Sequence, residues 1–130
     1  ERHARKIDMA AAELGKIQEV LIEVNVSGEQ SKAGVAPSEA ASLLLACRGL
    51  AHVRVRGLMT MAPQGDAAAA RECFEGLAAL ASELRAGLGP DEGASFDQLS
   101  MGMSEDWREA IAAGATMVRI GRAVFSDEFE

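Results

Sequence analysis

Tyrosine is absent from this chain, and its 130 residues include one tryptophan and four phenylalanines. No phenolic acid or base is available, and aromatic rings supply little of the core. Cysteine and histidine are almost as scarce, with two of each: Cys47 and Cys73, His3 and His52. None has the spacing of a metal site, and a disulfide would require the fold to bring the two thiols together. The expectation is two buried thiols in a reducing cytoplasm, with no chemical role for either histidine. The only lysines are Lys6, Lys16 and Lys32. No apolar run approaches the ~20 residues of a membrane span. The opening Glu1-Arg-His-Ala-Arg-Lys6 lacks the apolar stretch of a secretory signal. Basic residues are outnumbered, and a net charge of -7 makes nucleic acid and anionic membrane surfaces poor partners.

What is present is ordinary for a globular protein: 48% hydrophobic and 25% charged residues, in a length that fits one domain. Helical and strand patterns alternate, which predicts an α/β fold with a parallel sheet. Ile7 to Gly15 reads as a helix with Ile7, Ala10, Ala11 and Leu14 on one face. From Glu19 to Val26, Val20, Ile22, Val24 and Val26 alternate with Leu21, Glu23, Asn25 and Ser27, the pattern of a strand. Ser27 to Gly34 has turn chemistry. Pro37 suits a helix start and Gly49 its stop, with Ala40, Leu43, Leu44 and Cys47 as the apolar stripe.

Val53 to Met59 is the second predicted strand, with Arg54 and Arg56 opposite Val53 and Val55. Asp66 can cap a long helix through Phe74, Leu77, Ala81, Leu84 and Leu88, ended by Gly87, Gly89 and Pro90. Pro90 to Ser95 reads as a surface loop. Phe96 to Met101 and Thr116 to Ile120 are the last two strands, and a short turn near Arg122 to Phe125 closes the pattern.

Between those last strands lie two features able to make an anion site. Ser104 is a good helix N-cap, and Gly121 follows the final strand. Free amides at a helix start, beside a glycine that admits close backbone approach, can cradle a phosphate. The same pattern also describes an ordinary strand–helix–strand unit with a capped helix. Glu105 and Asp106 fall in the predicted first helical turn, where they favour the helix dipole but oppose a phosphate.

Five pieces in order carry a resemblance: Val24-Asn-Val26 with Ser31-Lys-Ala-Gly34, Arg56-Gly-Leu-Met59, Leu99-Ser-Met-Gly-Met-Ser104, Ala110-Ile-Ala-Ala-Gly114 and Thr116-Met-Val-Arg-Ile-Gly121. Over roughly residues 19 to 126 the chain resembles the pyridoxal-phosphate homeostasis proteins, the YggS/PROSC family, whose barrel is related to the alanine racemase N-terminal domain. The resemblance implies the C-terminal half, about strands five to eight, of a (β/α)8 TIM barrel. A complete barrel needs at least ~200 residues. Residues 1–130 are thus expected to form a single domain, a partial barrel. The N-terminal half, with the lysine that holds the cofactor as a Schiff base, is expected to be absent. None of Lys6, Lys16 and Lys32 sits in that lysine's motif.

The resemblance further implies binding of pyridoxal 5'-phosphate (PLP) in intracellular PLP homeostasis, in the cytoplasm, without catalysis. The cofactor-binding residues it implies are the Met103 backbone, Ser104 backbone and hydroxyl, and the Gly121 and Arg122 amides at the phosphate. Arg119 matches the arginine that faces the pyridine nitrogen. A guanidinium stays protonated, so it donates to that nitrogen and disfavours its protonation, leaving a weaker electron sink. The local alternative for Arg119 is an ion pair with a carboxylate such as Glu23. No catalytic residue and no metal is implied. Association through exposed barrel edges, or with a missing N-terminal half, is expected. Two alternatives stand beside this reading: a fragment of an alanine-racemase or decarboxylase-type enzyme, and a phosphate-binding half barrel with another ligand. The enzymes add a C-terminal β domain and the racemases a catalytic tyrosine. Since the 130 residues stop after the last strand and hold no tyrosine, the non-catalytic carrier is favoured.

Overall fold

A computed structural model describes residues 1–29 and 33–125. Four strands form one parallel sheet in the order β1-β2-β3-β4: Gln18–Glu23, Val53–Met59, Gln98–Met103 and Met117–Arg119. Strands added in one direction by crossovers of one hand put every connecting helix on the same face. The helices are α1 (Arg2–Glu13), α2 (Ala40–Arg48, after a 3-10 turn at Pro37–Glu39), α3 (Ala67–Ala86), α4 (Pro90–Ser95), α5 (Trp107–Ala112) and α6 (Arg122–Phe125).

The core lies between sheet and helices. Ile22, Val24, Leu58 and Met101 meet Leu44 of α2 and Phe74 and Leu77 of α3 there. Val53 to Met59 and the Asp66 cap match their sequence expectations, because both are set by local chemistry. The Asp66 carboxylate accepts from the Ala69 N–H at 3.1 Å. Gly49 ends α2 as expected. Cys47 and Cys73 are both buried free thiols, and burial pushes the Cys47 thiol up.

Several expectations are corrected. The first helix starts at Arg2 rather than Ile7, its first turn held by the Arg5–Glu1 ion pair at 2.7 Å. Of its predicted apolar face only Ala11 is buried, and Leu14 is 76% exposed. Pro90 to Ser95 is a helix, not a loop: Pro90 takes the first helical position, and Asp91 and Glu92 suit the positive end of the dipole. The third strand is shifted two residues, to Gln98–Met103. The last strand is only Met117–Arg119. In β2 the register with β1 jumps from Val55 to Gly57, so Arg56 is an extra residue that simple alternation does not anticipate.

Arg56 turns that bulge into a clamp. Its Nη1 pairs with Glu19 of β1, its Nη2 with Asp97 at 3.0 Å, and its Nε donates to the Ser95 carbonyl at 2.7 Å. On the far side of β1, Val35 donates to the Glu23 carbonyl at 2.9 Å and accepts from the Asn25 N–H at 2.8 Å. The upper end of that edge is thereby covered. Among the described residues the rest of β1's outer edge and that of β4 have no strand partner. Ser31 and Lys32 of the predicted loop lie outside the described residues.

Candidate functional site

The C-terminal ends of β2, β3 and β4 bring together Thr60, Met103, Ser104, Arg119, Gly121 and Arg122. The start of α5 is drawn to β3 by Gly102, whose φ is +101° and whose Cβ would sit 2.6 Å from that of Ala110. A side chain at 102 would push the helix away from the strand end and open the site.

Ser104 does not cap α5. The helix begins at Trp107, with Asp106 at its N-cap position. Residues 104–106 form a turn, closed from both sides: Asp106 N–H donates to the Met103 carbonyl at 3.2 Å, and Met103 N–H to Asp106 Oδ1 at 2.7 Å. The Asp106 carboxylate closes this turn back onto β3 and makes no side-chain bond to the α5 amides. Met103 is therefore at the predicted place, but its amide is already engaged. Ser104 serves the next helix instead, its Oγ accepting from the Ala123 N–H at 3.1 Å. In that arrangement the hydroxyl keeps its own proton for another acceptor.

The two acids that opposed an anion here are both occupied. Asp106 holds the Met103 amide, and Glu105 pairs with the Arg122 guanidinium at 2.8 Å. Among the described residues the Ser104 and Gly121 N–H groups meet no acceptor. Nothing lies within 4 Å of a Cβ built on Gly121, so the backbone there faces open space. A cavity of about 360 Å³ lies next to this turn, walled by Met61, Pro63, Met103, Glu105, Asp106 and Arg122; Ser104 and Gly121 do not line it.

Arg119 is not the ion-pair partner of Glu23, and no ion pair to it occurs among the described residues. Its Nη2 donates to the Thr60 carbonyl at 2.8 Å, while its Nε is buried without an acceptor among the described residues. A buried donor left unpaired costs about 1–3 kcal/mol, which an acceptor would relieve. An unprotonated ring nitrogen is such an acceptor. The orphaned Nε, the free amides and the open space at Gly121 together fit a phosphorylated pyridine.

A larger hollow of about 550 Å³ lies among α2, β2 and α4, beside Leu44, Cys47, Val53 and Leu88. Its polar rim includes the Arg48–Glu92 ion pair at 2.6 Å, a pair that satisfies itself. Volume alone does not select a site, and convergent unsatisfied donors do. Thr60 escapes the sequence reading, which also treats Asp106 only as a first-turn acid and not as the partner of the Met103 amide. The signal available was a lone hydroxyl in the otherwise apolar run Leu58 to Ala62, immediately after the Arg56-Gly-Leu-Met59 motif.

Residues 1–128 match the family described as alanine racemase, N-terminal domain. The chain is 44% identical over 107 residues to a pyridoxal phosphate homeostasis protein of Pasteurella multocida, covering 82% of this chain and 45% of that protein. The structure of PipY of Synechococcus elongatus with PLP bound is similar at a TM-score of 0.73 and 33% identity, covering 91% of this chain and 53% of PipY. An alanine racemase of Clostridium difficile superposes at a TM-score of 0.65 with 21% identity, over 92% of this chain and 31% of the racemase, a likeness of fold alone. The chain spans about half the length of the homeostasis proteins it matches. Its four parallel strands are those of a partial alanine-racemase-type barrel.

Proposed function

Because this chain belongs to the alanine racemase N-terminal domain family, we propose that it forms the phosphate-and-ring end of a PLP-binding site in a non-catalytic PLP homeostasis protein. The observation that carries this reading is the buried Arg119 Nε, which has no acceptor among the described residues, on the strand that leads to the Gly121 amide. In it, the Ser104 and Gly121 N–H groups and the Ser104 hydroxyl hold the phosphate, with the Arg122 amide beside them. Met103 shapes the turn, its own amide staying with Asp106. When bound, the cofactor supplies an electron-withdrawing pyridine ring.

Arg119 donates to the ring nitrogen and, always protonated itself, keeps that nitrogen from taking a proton. Such an arginine would leave a bound ring a weak electron sink, which suits holding the cofactor rather than carbanion chemistry. The lysine that would fix the aldehyde belongs, in this reading, to four further strands pairing with the open edges of β1 and β4. Residues 1–130 act as one domain, a barrel half. The two buried thiols suit a reducing cytoplasm.

Trp107, the only tryptophan, opens α5 beside the site and supplies the test. Titration with PLP should quench its fluorescence saturably, and inorganic phosphate should compete. Quenching that never saturates, or that phosphate leaves unchanged, would overturn the reading.

A further inference from the structure

One buried residue at the end of β2 is hydrogen-bonded to β3, to β4 and to the residue after β1. Thr60, 1% exposed, directly follows β2. Its N–H donates to the Ser100 carbonyl of β3 at 3.1 Å. Its hydroxyl donates to the carbonyl of Val24, the residue after β1, at 2.7 Å. Its own carbonyl accepts from Arg119 Nη2 of β4 at 2.8 Å. With the hydroxyl proton committed to Val24, any hydrogen bond with the Cys73 thiol 4.0 Å away has the thiol as donor. A thiol, a hydroxyl and a carbonyl thus form one buried chain.

We infer that Thr60 is a positioning residue that sets the plane of the Arg119 guanidinium at the ring end of the site. The orientation follows from geometry. The amide hydrogen and the side-chain hydroxyl pin Thr60 on two sides, so the direction of its carbonyl is fixed. A guanidinium is planar and rigid, so one Nη2 anchored on that carbonyl restricts where its Nε–H can lie. That Nε is the buried donor without an acceptor. Loss of the hydroxyl frees the Thr60 peptide from Val24, and the guanidinium loses its reference. Thr60 touches no ligand in this account and acts only through Arg119. The inference rests on the reading of Arg119 as the ring's partner.

The test uses the 130-residue chain with two substitutions. Thr60→Val keeps the shape and removes the hydroxyl, and Thr60→Ser keeps the hydroxyl and removes the methyl. One readout needs no ligand: the Arg119 Nε–H resonance and its hydrogen-exchange rate by nitrogen-15 NMR. The other is the ring-nitrogen resonance of nitrogen-15-labelled PLP in the complex, with affinities for PLP and inorganic phosphate alongside.

Thr60→Val should speed Nε–H exchange, move the ring-nitrogen resonance and weaken PLP by about tenfold, the scale of one charge-assisted hydrogen bond. Affinity for inorganic phosphate should not change, and Thr60→Ser should restore all the other values. Parent-like Nε–H exchange and an unmoved ring resonance in Thr60→Val would overturn the inference. So would a serine variant that fails to restore them, because the residue would then act by packing. If Thr60→Val does not fold, Thr60→Ala removes the same hydroxyl and is judged by the same criteria. Should the parent chain take up no PLP, the proposed function falls, while the ligand-free Nε–H measurement still decides the role of Thr60.

Discussion

A Cβ built on Gly57 would lie 1.7 Å from the carbonyl oxygen of Gln98, so β2 and β3 meet at a separation that only glycine permits. The φ of Gly57 is +157°, and the obstructing atoms belong to the β3 backbone, which cannot rotate aside.

Gly57→Ala should therefore cost about 3 kcal/mol or more, lowering the melting temperature by roughly 10 °C in a chain of this size. Gly15, at φ +64° with nothing within 4 Å of its Cβ, separates strain from collision. Gly15→Ala should cost only about 1 kcal/mol. Calorimetry finding equal losses at the two positions would contradict the steric argument.

Gly121 is the opposite case. Its Cβ position is open, so Gly121→Val should melt like the parent. The new side chain would occupy the approach to the Gly121 amide, and phosphate and PLP affinity should both fall by at least about tenfold. Ser104→Ala should show the converse balance. Removing the acceptor of the Ala123 N–H should fray α6, costing about 1 kcal/mol, with a smaller loss of phosphate affinity. Undiminished PLP binding in Gly121→Val would place the site elsewhere.

The contrast between these glycines shows how far the sequence could be read. Val53 to Met59, the Asp66 cap and the Gly49 stop depend on neighbours in sequence, and each is legible there. The bulge at Arg56 is not, because it arises from a three-way clamp to Glu19, Ser95 and Asp97. Likewise Ser104 follows β3 as the pattern predicts but does not cap α5. Asp106 lies nearer to α5 and takes the cap position, leaving the serine to Ala123. Thr60 shows in the sequence only as a lone hydroxyl in an apolar run. Its part depends on Val24, Ser100 and Arg119, residues 36, 40 and 59 positions away along the chain.

The Arg56 clamp should leave a mark in acid. Hydrogen bonds from Gln98 and from Arg56, each at 3.0 Å, hold the Asp97 carboxyl below its ordinary 3.8. A carboxyl lowered by folding stabilises the native state above the unfolded value and loses that contribution as pH falls through the lower folded value. The melting temperature should accordingly decline below pH 3.8, and Asp97→Asn should flatten part of that decline. The group is exposed, so the difference is small and shrinks in high salt. Parallel pH profiles for parent and variant would refute the assignment.

Lysine chemistry supplies a separate check. Lys6, Lys16 and Lys32 are the only lysines, and none stands in the motif of the cofactor lysine. Incubation with micromolar PLP, borohydride reduction and peptide mass spectrometry should find no lysine labelled stoichiometrically. A single lysine carrying one equivalent of reduced adduct would show that the chain fixes the aldehyde by itself.

Arg119 distinguishes a PLP site from a general phosphate site. Its guanidinium holds the Thr60 carbonyl and keeps a buried Nε in reserve, and neither group is assigned to the phosphate. Arg119→Ala should leave affinity for inorganic phosphate within about twofold while PLP affinity falls at least about tenfold, the worth of one charge-assisted bond. The Thr60 carbonyl would lose its partner, so a stability loss of about 1–3 kcal/mol should accompany the change. Arg119→Lys keeps the charge but has no planar fork, so it should recover little of the ring's contribution. If both ligands weaken equally, Arg119 acts through the phosphate or through the fold. If neither weakens, the ring lies away from Arg119, and the orphaned Nε has another acceptor.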